Sequence, residues 1–90
     1  MTAASAETIA LRALGFLVES PRALDRFLAE TGADFLNLRE RAAEPDFLAA
    51  VMDFLLADDV LVTAFCESEA IEARTLHLMR RALPGAAPDG

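Results

Sequence analysis

A single displacement of 38 residues lays the apolar pattern of the first half of this 90-residue chain on that of the second. Phe16-Leu17-Val18 falls on Phe54-Leu55-Leu56, Phe27 on Phe65, Leu14 on Met52, Leu24 on Val62 and Leu38 on Leu76. Ser20 falls on Asp58, so a residue suited to N-capping occupies the same joint in both halves. Apolar spacing alone recurs in many helical proteins. Caps, phenylalanines and loop lengths recurring together predict two copies of one three-helix unit. Helical solenoids have periods near this length but need about three or more units to bury their faces. Two units point instead to a closed, roughly two-fold bundle.

The pattern has the period of helices throughout. A first helix is predicted over 6–19, capped by Ser5 and carrying Ile9, Leu11, Leu14, Phe16, Leu17 and Val18. Ser20-Pro21 ends it and opens a second helix, whose core face is Leu24, Phe27 and Leu28 and which Gly32 closes in a left-handed turn. Asp34 opens a short third helix with Leu38. Pro45 opens a fourth over 47–57. Asp58 caps a fifth with Leu61, Val62, Phe65 and Cys66 facing inward. A sixth, over 70–82, carries Ile71, Leu76 and Met79, with Leu83 just beyond it, and Pro84-Gly85 stops it. The expected organisation is one all-α domain over 1–85, a compact six-helix bundle of two tandem repeats at about 6–43 and 44–83, followed by a flexible tail at 86–90. The first and fourth helices are the most apolar all round and are expected at its centre.

Composition narrows what such a bundle can do. Fifteen acidic residues against eight arginines, without a lysine, give a net charge of −7. Nucleic-acid affinity comes largely from neutralised phosphates, and anionic lipid surfaces repel the same charge, so neither is an expected partner. All six aromatic residues are phenylalanine, which removes the tyrosine and tryptophan typical of interface hot spots. No apolar run approaches the ~20 residues of a membrane span. Glu7 precedes the first apolar stretch where a signal peptide carries basic residues, so a cytoplasmic setting is expected.

The halves differ in one telling place. Arg22, Asp25 and Arg26, off the apolar stripe of the second helix, are replaced on the fifth by Val60, Thr63 and Ala64. No basic residue lies between Arg41 and Arg74, while eight acids do, among them Asp59 and Glu67. The candidate site is therefore an uncharged Val60–Thr63–Ala64 strip rimmed by carboxylates, including Asp59 and Glu67, that docks a partner or a second copy. The plain alternative is that the sixth helix or the N-terminal arm covers the strip within the monomer.

No residue set has the spacing of a catalytic site, a metal cage or a phosphate loop, so no catalytic, cofactor-binding or metal-binding residue is assigned. His77 falls on Arg39 and reads as a surface histidine. Cys66, the only cysteine, falls on Leu28 and reads as a buried small hydrophobe with acids rather than cations beside it. Gly15, inside the first helix, reads as a point of close helix packing.

The segments Ala13-Leu14-Gly15-Phe16-Leu17, Thr31-Gly32, Pro45-Asp46-Phe47-Leu48 and Asp53-Phe54-Leu55-Leu56-Ala57-Asp58 together resemble a family of short alphaproteobacterial proteins, the domain of unknown function 3572. Ala64-Phe65-Cys66 and Arg81-Ala82-Leu83-Pro84-Gly85 extend the resemblance from about Glu7 to Gly85. It implies a bacterial cytoplasmic protein and brings no activity with it. The expected function is a non-enzymatic interaction or adaptor domain using the fifth helix. The alternative is a small ligand-binding or enzymatic domain with an apolar pocket between the repeats, lined by Phe16 and Phe54.

Overall fold

The structure, a computed structural model, describes residues 2–85; the expected tail at 86–90 lies outside the described residues. Six α-helices and one 3-10 turn follow in order: α1 (Ala3–Val18), α2 (Pro21–Thr31), the turn (Phe35–Asn37), α3 (Leu38–Arg41), α4 (Pro45–Leu56), α5 (Asp59–Glu69) and α6 (Ala73–Arg81). No strand occurs among the described residues, and the all-α bundle is as expected. No helix of the described residues is long and apolar enough to cross a membrane.

α1 and α4 form the most extensive helix pair, and the other helices pack around them. Their shared interior is filled by Ala10, Ala13, Leu17, Val51, Met52 and Leu55, all fully buried. Alanine at Ala6, Ala10 and Ala13 lets α1 sit close against its neighbours. The larger side chains supply the apolar area, at about 1.5–3 kcal/mol for each one fully withdrawn from water.

The aromatic contacts are reciprocal. Phe16 of α1 meets Phe65 of α5 edge-on, with centroids 5.4 Å apart and planes at 69°. Phe54 of α4 meets Phe27 of α2 at 5.4 Å and 74°. Adding 38 to Phe16 and subtracting 38 from Phe65 turns one pair into the other. Helix α1 thus touches α5, and α4 touches α2, through ring pairs 38 residues apart in the chain. Gly32 and Ala70, also 38 apart, both adopt the left-handed conformation just past a helix, at φ 71° and 57°. Their N–H groups donate to the carbonyls of Leu28 and Cys66.

Several local expectations are corrected. Helix α1 begins at Ala3, with the Thr2 hydroxyl accepting from the Ser5 N–H at 3.2 Å, because Thr2 caps and the alanines behind it extend the helix. Ser20 stands at the N-cap position of α2 without capping it; its hydroxyl turns back and donates to the Phe16 carbonyl at 3.3 Å. Asp58 does cap α5, so the two joints share a place and not a chemistry. The α5–α6 boundary falls at left-handed Ala70, and α6 starts only at Ala73. Gly15 marks no close packing within the chain: a Cβ built there meets nothing within 4 Å. Nor is α1 buried all round, since Leu11 and Val18 remain exposed.

Candidate functional site

The candidate strip lies on α5, which is held at both ends. At its start the Asp58 carboxylate accepts from the N–H groups of Val60 (2.9 Å) and Leu61 (3.3 Å), and its other oxygen accepts from Arg26 Nη2 of α2 at 3.1 Å. The Arg26 hydrogen bond, then those of the backbone of Leu61 and Val60, hold this carboxyl below the usual aspartate range. The same guanidinium lies over the Phe54 ring, 5.4 Å from its centroid. At the far end Glu69 pairs with Arg12 of α1, which raises the arginine's pKa through that hydrogen bond and the carboxylate charge. Phe65, buried against Phe16, anchors the middle.

With its inner side fixed in this way, α5 turns Val60, Thr63, Ala64 and Glu67 outward at positions i, i+3, i+4 and i+7 of one face. All four are exposed, Val60 at 76%. Neither α6 nor any other described segment covers the strip. Asp59 and Glu67 are exposed too, and neither has an ion-pair partner among the described residues. On α2, one of the three polar residues at the matching positions has a partner across the chain. Arg26 serves as a clamp on Asp58; displaced by 38 residues, these two positions hold Ala64 and Ser20, which carry no charge.

Residues 3–86 match a family described as Protein of unknown function (DUF3572). The chain belongs to the DUF3572 family. The description names no activity, so membership assigns no role to any residue. No curated protein and no solved structure matches the chain.

The remaining chemically capable groups of this DUF3572 member are scattered. His77 is exposed, as its pairing with Arg39 predicts. Cys66 is only half-buried rather than enclosed, and burial pushes its thiol pKa up, which disfavours the thiolate. Among the described residues no group of three or more His, Cys, Asp or Glu stands close enough to hold a metal ion. Phe16 and Phe54 border different depressions among the described residues. Phe54 borders an open depression of about 430 Å³ with Arg26, Glu30 and Asp53, and Phe16 borders a separate one of about 260 Å³ with Arg12 and Glu69. The seam between them is closed by the buried side chains of α1 and α4.

One surface escaped the sequence reading. Leu11, Leu14 and Val18 recur at helical spacing and read as core; Leu14 is buried, but Leu11 and Val18 are exposed, and the three form one wall of a groove of about 790 Å³, with Phe35 and Leu38 on the other. The available signal was the brevity of the third helix: four residues of α3 cannot cover a sixteen-residue α1.

Proposed function

We propose that this chain is a non-enzymatic protein-interaction domain that engages a partner through the outer face of α5. The observation that carries the reading is the exposure of Val60, 76%, within a four-residue face whose remaining members are Thr63, Ala64 and Glu67. A small apolar centre with a charged rim is the usual anatomy of a transient docking surface. The unpaired carboxylates of Asp59 and Glu67 favour a partner with arginine or lysine at its own rim. The rigid seating of α5, by Asp58 at one end and Glu69 at the other, supports binding with little loss of conformational freedom.

Two further elements belong to this reading. The halves are copies of one ancestral unit, which the reciprocal phenylalanine pairs and the paired left-handed caps support. The setting is cytoplasmic and the partner is a protein, since a net charge of −7 opposes nucleic acid and anionic lipid. A ligand-binding role between the halves has less in its favour, because the seam is filled.

The test is capture of partners from the native cytoplasm with the wild-type chain, with V60D and with T63R, at low and at high salt. The expected result is a basic partner retained by wild type at low salt, released at high salt, and lost with both variants. A partner retained equally by all three chains, or none retained by a folded wild-type chain, overturns the reading.

A further inference from the structure

We propose that the groove between α1 and the 3-10 turn with α3 is a self-association site, in which a second copy of this chain pairs by a two-fold axis. This does not rest on the α5 reading and uses none of its residues. Six large apolar side chains are exposed among the described residues, and three of them line this groove. Leu11, Val18 and Phe35 (55% exposed) line the groove, and Leu36, next to Phe35 in the chain, is 84% exposed. Solvent-facing apolar side chains gathered in this way mark a surface that is covered in use.

The groove lies where the 38-residue pattern loses an ion pair. Displaced by 38 residues, its walls become α4 and α6; Leu14 and Leu38 are buried as their counterparts Met52 and Leu76 are, and the difference lies at the rim, where Ala49 is buried and Arg80 Nε clamps Asp53 at 2.6 Å. The residues in place of that clamp are Ala42 and Gly15, both lining the groove. They carry no charge to draw the walls together. Leu11 in place of Ala49 adds bulk where a close helix would have to sit. One half closes its own seat and the other leaves it open.

The occupant follows from what the groove carries. Its α1 wall bears Glu19 and its α3 wall bears Arg39, both exposed and neither ion-paired among the described residues. Opposite charges on the two walls are self-complementary under a two-fold axis: Glu19 of each copy meets Arg39 of the other. A uniformly basic or acidic partner helix would meet repulsion on one wall. Leu36 follows Phe35 in the chain and is open to solvent, and in the proposed pairing it is the apolar side chain that each copy offers to the other. An isologous interface has this reciprocity, and it closes at two copies.

Sedimentation equilibrium on the full chain tests the proposal, across a roughly hundredfold range of concentration. Wild type is expected to dimerise with mass action, and L36E to remain monomeric. E19R or R39E alone sets like charges against each other at two places in the dimer, and each is expected to weaken pairing about tenfold. An equimolar mixture of E19R and R39E restores both attractive pairs and is expected to form a heterodimer near wild-type strength. Far-UV circular dichroism confirms that each variant keeps its helices, since all three positions are exposed. A wild-type chain still monomeric at about 1 mM overturns the proposal, as it would if another protein's helix were the occupant. Pairing unaffected by the charge reversals, or not restored by mixing, overturns it as well. V60D is expected to leave the dimer intact, which separates this result from any outcome at α5.

Discussion

Replacing Phe27 by leucine should cost this fold about twice as much in ring contacts as the same change at Phe65. Both side chains are at most 1% exposed, so the loss of apolar area on going to leucine is nearly common to the two. Their ring neighbourhoods differ. Phe27 makes two edge-on contacts, with Phe47 at 5.5 Å and 68° and with Phe54 at 5.4 Å and 74°, and Phe65 makes one, with Phe16. At about 0.5–1.5 kcal/mol for each such pair, Phe27→Leu forfeits about 1–3 kcal/mol and Phe65→Leu about 0.5–1.5 kcal/mol. A domain of this size holds about 5–13 kcal/mol in total, so both variants still fold. Urea unfolding resolves the difference: with a slope near 1 kcal/mol per M, the Phe27 midpoint should fall about 1 M further than the Phe65 midpoint. A double-mutant cycle on Phe27 and Phe54 should return a coupling of about 0.5–1.5 kcal/mol, matched by the cycle on Phe16 and Phe65. Equal midpoint shifts for the two single variants, or a vanishing coupling in either cycle, would refute the reasoning.

Two other consequences concern the helix ends. Asp58 has a lowered pKa in the folded chain, so its charge contributes stability that is present above the unfolded value of about 3.9 and is lost as pH falls through the folded value. Asp58→Asn keeps a capping side chain but removes the charge, so its urea midpoint should trail wild type at neutral pH and converge with it below about pH 4; a constant gap across that range would contradict the Arg26 assignment. The left-handed caps predict opposite signs at equivalent joints. Ala70→Gly relieves a strain of about 1–2 kcal/mol against the extra freedom glycine gives the unfolded chain, for a net gain of about 0.5–1 kcal/mol, and Gly32→Ala loses a similar amount in the same assay.

Most of the architecture was written in residues whose physics is local. Pro21 and Pro45 open helices because proline fits the first helical position, Gly32 ends one because it tolerates positive φ, and Asp58 caps because a short carboxylate reaches two N–H groups. The failures come where the outcome depends on what lies across the chain. Ala70 takes a left-handed cap that glycine normally supplies, so the α5–α6 boundary left no mark in composition. Ser20 had the right chemistry for a cap and spent its hydroxyl on the preceding helix. The α5 strip was legible because charges disappear from it between the two halves. The second surface was not, because Leu11 and Val18 share the core pattern of buried Leu14, and only the length of the element opposite decides how much of that pattern is covered.

Gly15 brings stability and association into direct opposition. Glycine inside a helix costs about 1 kcal/mol relative to alanine, and a chain this small has little stability to spare. Within the monomer that cost has no return, since an added Cβ meets nothing within 4 Å and the backbone is not in the left-handed region. Gly15 does line the groove, on the wall that a second copy would approach. Gly15→Ala should therefore raise the melting temperature of the dilute chain by about 4–8 °C, the shift that 1 kcal/mol produces in a domain of this length. The same methyl group, added to a residue that lines the groove, should weaken pairing in sedimentation while leaving the helices unchanged. A residue selected for the monomer alone would gain from the substitution in both respects. A variant that melts higher and pairs as well as wild type would show that Gly15 makes no room for a second copy, and would leave its cost without a physical account.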